Sequence, residues 1–134
     1  MTAMVAVLLF AAWTLLLAMI YVVPRVPPVM LFKKPADSWT RGKPNTDPAI
    51  LVRAQHAHLN AVENLPVFAA IVAMAMLMNR ADAVDPLAAY VLYARVGQSL
   101  VHLTGTSFIQ VLLRATFYFA QVLLMAWMIW QLVG

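Results

Sequence analysis

Long apolar runs alternate with short polar stretches along this chain of 134 residues. The run from 4 to 23 contains no charged residue. At a helical rise of about 1.5 Å per residue it covers the ~30 Å hydrocarbon core of a bilayer. Three further runs, residues 53–78, 85–104 and 107–133, are long enough to cross a membrane or nearly so. The pattern therefore predicts an all-α integral membrane protein, a bundle of four helices in a single domain.

The first apolar run lies where a cleaved signal peptide would also lie. It is longer than the apolar core of a signal peptide, lacks a basic start, and ends at Pro24 and Arg25 without a small-residue cleavage site. We therefore interpret it as a membrane-spanning helix. The composition agrees, because 64% of the residues are hydrophobic and 10% are charged, which is unusual for a soluble domain.

Residues 24–52 are rich in proline and are predicted to form an exposed loop. The loop contains most of the basic residues, namely Arg25, Lys33, Lys34, Arg41 and Lys43. By the positive-inside rule this loop is cytoplasmic and both termini lie on the other side of the membrane. The net charge of +4 then reflects topology, and no nucleic-acid partner is expected. The absence of cysteine excludes disulfides and thiolate metal sites.

Polar side chains inside the helices recur three or four residues apart, so each set lies along one helix face. The sets are Arg53, His56, Asn60 and Glu63; Arg95, Gln98 and His102; and Arg114, Tyr118 and Gln121. A carboxylate in a membrane segment needs a partner or a functional reason. The three arginines of these sets are the candidate counter-charges for Glu63. Together the sets predict a cationic pocket near the cytoplasmic side that binds an anion.

Two plainer interpretations of these residues stay open. Glu63 and Arg95 are also a candidate structural pair that joins two helices, since polar groups often bridge membrane helices. The three histidines form a poor metal site, because His56 and His58 point about 200° apart on a helix. No metal is therefore predicted.

The segment RAQHAHLNAVENLPVF, residues 53–68, resembles the signature of the MAPEG family, the membrane-associated proteins of eicosanoid and glutathione metabolism. YARVGQSLVH at 93–102 resembles the third helix of that family, and RATFYFAQ at 114–121 resembles the fourth. The resemblance implies a homotrimer of four-helix subunits, with glutathione held between neighbouring subunits near the cytoplasmic side. For a member of the bacterial type, the expected location is the inner membrane.

The resemblance also implies roles for the site residues. Asn60 and Glu63 would contact the peptide backbone and amino group of glutathione, while Arg95 and His102 would lie near its carboxylates. Arg53 and His56 belong to the same glutathione-binding set. Arg114 would take the family's activating role and favour the thiolate, the nucleophilic form. Tyr118, one turn further along the same face, would shape the thiol or co-substrate pocket.

These expectations lead to a membrane-bound glutathione transferase or peroxidase. Its substrates would be lipophilic electrophiles or hydroperoxides that partition from the surrounding membrane lipid. The alternative is a MAPEG-fold subunit without catalysis that serves a structural or accessory role. A small transporter or channel is less favoured, because the sequence contains neither a discontinuous helix pair nor an acidic pore ring.

Overall fold

The computed structural model describes all 134 residues and contains five α-helices and two short 3-10 turns. The helices are α1 (Ala3–Val22), α2 (Val26–Met30), α3 (Ala49–Leu77), α4 (Asp85–Thr104) and α5 (Phe108–Val133). A 3-10 turn, Val23–Arg25, joins α1 to α2, and a second, Ala81–Ala83, precedes α4. The four long helices and the absence of strands confirm the predicted all-α fold.

The four long helices pack into one bundle. α1 packs along α3, α4 packs along α5, and α4 also contacts α1 and α3. Phe10 and Phe68 are fully buried, and their ring centroids lie 5.9 Å apart where α1 meets α3. Met128 of α5 and Val91 of α4 belong to the same apolar core. α4 thus contacts all three other long helices closely, whereas α3 contacts α1 and α4 closely and α5 more weakly.

Three stretches are long and apolar enough to cross a membrane: Ala3–Met30, Ala49–Leu77 and Phe108–Val133. α4 is less apolar, yet its 20 residues also reach ~30 Å at about 1.5 Å per residue. Four of its polar side chains, Arg95, Gln98, Ser99 and His102, are buried inside the bundle. Large apolar side chains such as Leu8 and Leu123 are exposed on the outside, as expected for an integral membrane protein.

Helical structure extends further into the predicted loop than expected. The prediction of an exposed loop was wrong for Val26–Met30 and for residues 49–52, which are helical. Pro24 and Pro27 stand in the first turns of their short helices. The N–H that proline lacks would have no partner within the helix at this position, so no hydrogen bond is lost. Pro48 is the N-cap residue of α3. The prolines therefore mark helix starts, and the connection without helix is residues 31–48.

This connection is held to the bundle by side chains. Arg25 Nη2 lies 2.7 Å from Asp47 Oδ2, and the Trp39 indole N–H donates to Asp47 Oδ1 at 3.0 Å. Nearer the surface, Lys43 donates to Asp37, and this hydrogen bond together with the Lys43 charge lowers the pKa of the Asp37 carboxyl. Asp47 is therefore the main attachment point of the connection.

At the opposite end of the bundle, side chains form hydrogen bonds with backbone groups of other helices. The Ala3 amide donates to Asp85 Oδ1 at 2.7 Å, so the first turns of α1 and α4 are joined. Arg80 Nη1 donates to the Leu132 carbonyl at 3.3 Å, near the end of α5. The start of α1 and the end of α5 consequently lie at the same end of the bundle.

We expect Asp85→Ala to lower the free energy of unfolding by about 1–2 kcal/mol, because a hydrogen bond to a charged group is lost together with a favourable charge at a helix N-terminus. Unfolding of the detergent-solubilised protein by a denaturing detergent measures this change. The matched control is Asp82→Ala, an exposed aspartate three residues earlier. Equal effects of the two substitutions would contradict a role for the bond to Ala3.

Candidate functional site

The polar face of α4 lies inside the bundle. Arg95 is only 1% exposed, and its Cζ lies 5.6 Å from the ring centroid of Phe10 on α1. Its Nε and Nη2 have no hydrogen-bond partner within the chain. Gln98 and His102 follow at helical spacing and are also buried. This face places a cation, an amide and an imidazole along the centre of the protein.

The polar face of α3 runs from the bundle onto the surface. Arg53 Nε donates to the Leu103 carbonyl at 3.0 Å, so the start of α3 is joined to the end of α4. The His56 ring is exposed, with its centroid 6.1 Å from that of His102. Asn60 is half-buried, and Glu63 is exposed on the chain surface. The predicted set is therefore split between the interior and the surface.

A cavity of about 270 Å³ lies where α3, α4 and α5 meet. Four polar residues line it, one from α3, one from α4 and two from α5: Asn60, Gln98, Arg114 and Tyr118. Apolar side chains of α5, including Val111 and Phe119, complete the wall. Arg114 Nε is buried and has no hydrogen-bond partner. The cavity thus combines an unpartnered guanidinium with amide groups and an apolar surface.

The one charged residue that lines this cavity, Arg114, is positive. Glu63 is the only glutamate of the chain, and it forms no ion pair, since both ion pairs of the protein involve the 31–48 connection. The structural pair of Glu63 and Arg95 is therefore not formed within one chain. Buried guanidinium groups without partners favour an anionic ligand, because carboxylates match their donor geometry.

The structure brings together only part of the predicted set. Asn60, Arg114 and Tyr118 share the cavity, whereas Arg53, His56 and His102 form a group nearer the end of α4. His58 lies apart, with Nδ1 3.0 Å from the Thr14 carbonyl oxygen of α1. No three acidic or histidine side chains are arranged to hold a metal ion.

Two contributions to the site were not predicted from the sequence. Phe10, which covers the Arg95 guanidinium, is one of many apolar residues in a helix without charged residues, and no sequence signal marks it. Gln121 is fully buried and donates to Gln98 Oε1 at 2.9 Å, which fixes the Gln98 side chain at the cavity wall. The helical spacing placed Gln121 on the polar face of α5 but not against Gln98.

The chain matches a known protein family. The model of the MAPEG family matches residues 3–134, essentially the whole chain. Searches of the curated proteins and of the solved structures gave no significant match.

We expect Arg95→Met to leave the stability of the ligand-free protein unchanged or to raise it by about 1 kcal/mol or more, because a buried cation without hydrogen bonds is removed. Arg95→Lys is the matched control: it keeps a charge at the same place and is expected to be less stable than Arg95→Met. Unfolding in a denaturing detergent measures both. A large loss of stability in Arg95→Met with wild-type stability in Arg95→Lys would show that the fold itself needs this cation.

Proposed function

This chain belongs to the MAPEG family, and we propose that it is a membrane-bound glutathione transferase or peroxidase acting on lipophilic electrophiles or hydroperoxides. Family membership by itself supports a membrane function related to glutathione or eicosanoid metabolism in general. The finer proposal rests on one observation above all. The fold leaves Arg95 and Arg114 with buried N–H groups that have no partner, and Arg114 lines a cavity between three helices.

Glutathione suits this arrangement by its chemistry. It has two carboxylates, one ammonium group and one thiol, so its binding site needs cations as well as an anion. Arg95 and Arg114 offer the unpartnered donors, and Asn60 offers an amide at the cavity wall. Glu63, one helical turn after Asn60, offers an acceptor for the ammonium. His102, Arg53 and His56 would complete the carboxylate side.

The roles that we propose for the site residues follow from their positions at the cavity. Bound glutathione would supply a sulfur nucleophile. Arg114, whose Nε lacks a partner, would favour the thiolate form, because a nearby cation stabilises that anion. Tyr118 is partly exposed on the next turn of α5 and would contact the thiol or the second substrate. The apolar wall of Val111 and Phe119 would admit a lipophilic molecule from the bilayer.

We also propose that the site is completed in a homotrimer. His56 and Glu63 are exposed on the surface of one chain, although a carboxylate facing lipid is costly. A second copy against this face would enclose both residues. The exposed side of α3 carries small residues, including Ala70 and Ala73, which permit close helix packing.

The alternative, a non-catalytic accessory subunit, predicts a different arrangement of the polar groups. In such a subunit the polar groups would serve only to join helices, with Glu63 paired to Arg95 and no ligand-sized cavity. Within one chain Glu63 forms no ion pair, and the cavity of about 270 Å³ is lined by Arg114 and Tyr118. These observations favour the catalytic proposal.

We expect the purified oligomer to bind glutathione in calorimetry, and Glu63→Gln to weaken binding about tenfold, because one charge-assisted hydrogen bond is lost. Arg114→Ala is expected to abolish the ultraviolet absorbance of the bound thiolate and the conjugation of a generic electrophile. Arg80→Ala is the control, since Arg80 contacts the far end of α5. A folded wild-type oligomer that binds no glutathione would favour the accessory role or another thiol.

We further propose that the 31–48 connection lies on the cytoplasmic side of a bacterial inner membrane, because basic residues concentrate there. The natural absence of cysteine allows a direct test with Lys33→Cys and Asp82→Cys, which lie at opposite ends of the bundle and are exposed. In spheroplasts a membrane-impermeant maleimide is expected to label Asp82→Cys and to label Lys33→Cys only after permeabilisation. The reverse pattern would contradict this orientation.

A further inference from the structure

A second polar pocket lies in the 31–48 connection, apart from the cavity of α3, α4 and α5. Its volume is about 150 Å³, and only one of its nine lining residues, Trp39, is hydrophobic. Basic and amide side chains line it, namely Arg25, Arg41, Lys43, Asn45 and Gln55. No carboxylate lines the pocket.

The charges of this pocket are only partly neutralised. Arg25 is paired with Asp47, and Lys43 with Asp37 on the exposed surface. Arg41 forms no ion pair or hydrogen bond through its side chain and is exposed. Surface ion pairs such as that of Lys43 are weak, so this ammonium is readily shared with a second anion. The pocket therefore favours a small anionic group.

The pocket lies at the depth of the lipid headgroups. Arg25 comes after the 20 residues of α1, which span ~30 Å at about 1.5 Å per residue. Gln55 lies two residues after Arg53, whose guanidinium is bound to the last turn of α4 at Leu103. Both lining residues thus mark the boundary between the hydrocarbon core and the polar region of one leaflet.

An apolar groove adjoins the pocket. It has a volume of about 290 Å³ and is lined by Val22, Val26, Val29 and Met30, and it shares Arg25 and Trp39 with the polar pocket. The Trp39 ring stands beside two cations, with its centre 5.0 Å from Arg25 Cζ and 5.7 Å from Lys34 Nζ. Tryptophan is enriched at the membrane interface. The Arg25 guanidinium and the Trp39 indole therefore lie between the polar pocket, which suits an anion, and the apolar groove, which suits an alkyl chain.

We propose that this pocket and groove together bind one anionic phospholipid, with the phosphate between Arg41, Lys43 and Arg25 and the start of an acyl chain along Val22 and Val26. The amides of Asn45 and Gln55 would bind further oxygens of the headgroup. An anionic leaflet attracts basic segments close to its surface, which agrees with the excess of basic residues in residues 24–52. The site is separate from the cavity that contains Arg114.

Native mass spectrometry of the purified oligomer tests this proposal, with phosphatidylglycerol and phosphatidylcholine as the added lipids. Phosphatidylglycerol is expected to be retained in preference, and Arg41→Gln is expected to weaken its binding about tenfold through the loss of one charge-assisted contact. Lys33→Gln is the matched control: it removes the same charge from the same connection, but Lys33 does not line the pocket. Equal weakening by both variants, or equal retention of both lipids, would overturn the proposal.

A second pair of variants distinguishes a lipid from a free phosphate. Val29→Asn in the groove is expected to weaken binding of phosphatidylglycerol, whereas Leu31→Asn, exposed and outside the groove, leaves it unchanged. Glycerol 3-phosphate and inorganic phosphate are expected to compete only at much higher concentration than the lipid. Competition at equal concentration, or no effect of Val29→Asn, would show an anion pocket without a lipid site. Glutathione binding is expected to stay unchanged in Arg41→Gln.

Discussion

The burial of the Arg95 guanidinium in the centre of an apolar bundle is the main constraint that this fold has to accommodate. Burying a cation costs several kcal/mol unless it finds partners, yet Arg95 is 1% exposed and its Nε and Nη2 have none within the chain. Phe10 offers the face of its ring, and a cation–π contact returns only about 1–2 kcal/mol. A fold that tolerates such a cost is expected to use the group for a ligand.

Several features of the bundle follow from this constraint. α4 contacts every other long helix, so Gln98 and His102 are buried within the bundle and Phe10 of α1 covers Arg95. α3 and α5 meet α4 at the cavity that contains Arg114, whose Nε is also unpartnered. The chain's one glutamate, Glu63, stands outside on the surface. Within one chain Arg95 and Arg114 thus have buried N–H groups without partners, while the one glutamate is exposed.

Much of this arrangement follows from periodicity, because membrane helices must satisfy their own backbone groups and polar residues at spacings of three and four share a face. The four long helices and the stripe of Arg95, Gln98 and His102 were predicted on that basis. Contacts between distant segments were not. The pairing of Arg25 with Asp47 and the contact of Phe10 with Arg95 correspond to no pattern of neighbouring residues in the sequence. In addition, three prolines of the predicted loop stand at the starts of helices.

The most direct test of the central claim observes the arginines themselves. The chain has six, so nitrogen-15 labelling gives six Nε–H signals in nuclear magnetic resonance, which single substitutions assign. We expect glutathione to shift the signals of Arg95 and Arg114 and to slow the exchange of their protons, while the signal of Arg80 at the far end stays constant. Unchanged signals of Arg95 and Arg114 at saturating glutathione would contradict the claim that these buried cations are held for an anionic ligand.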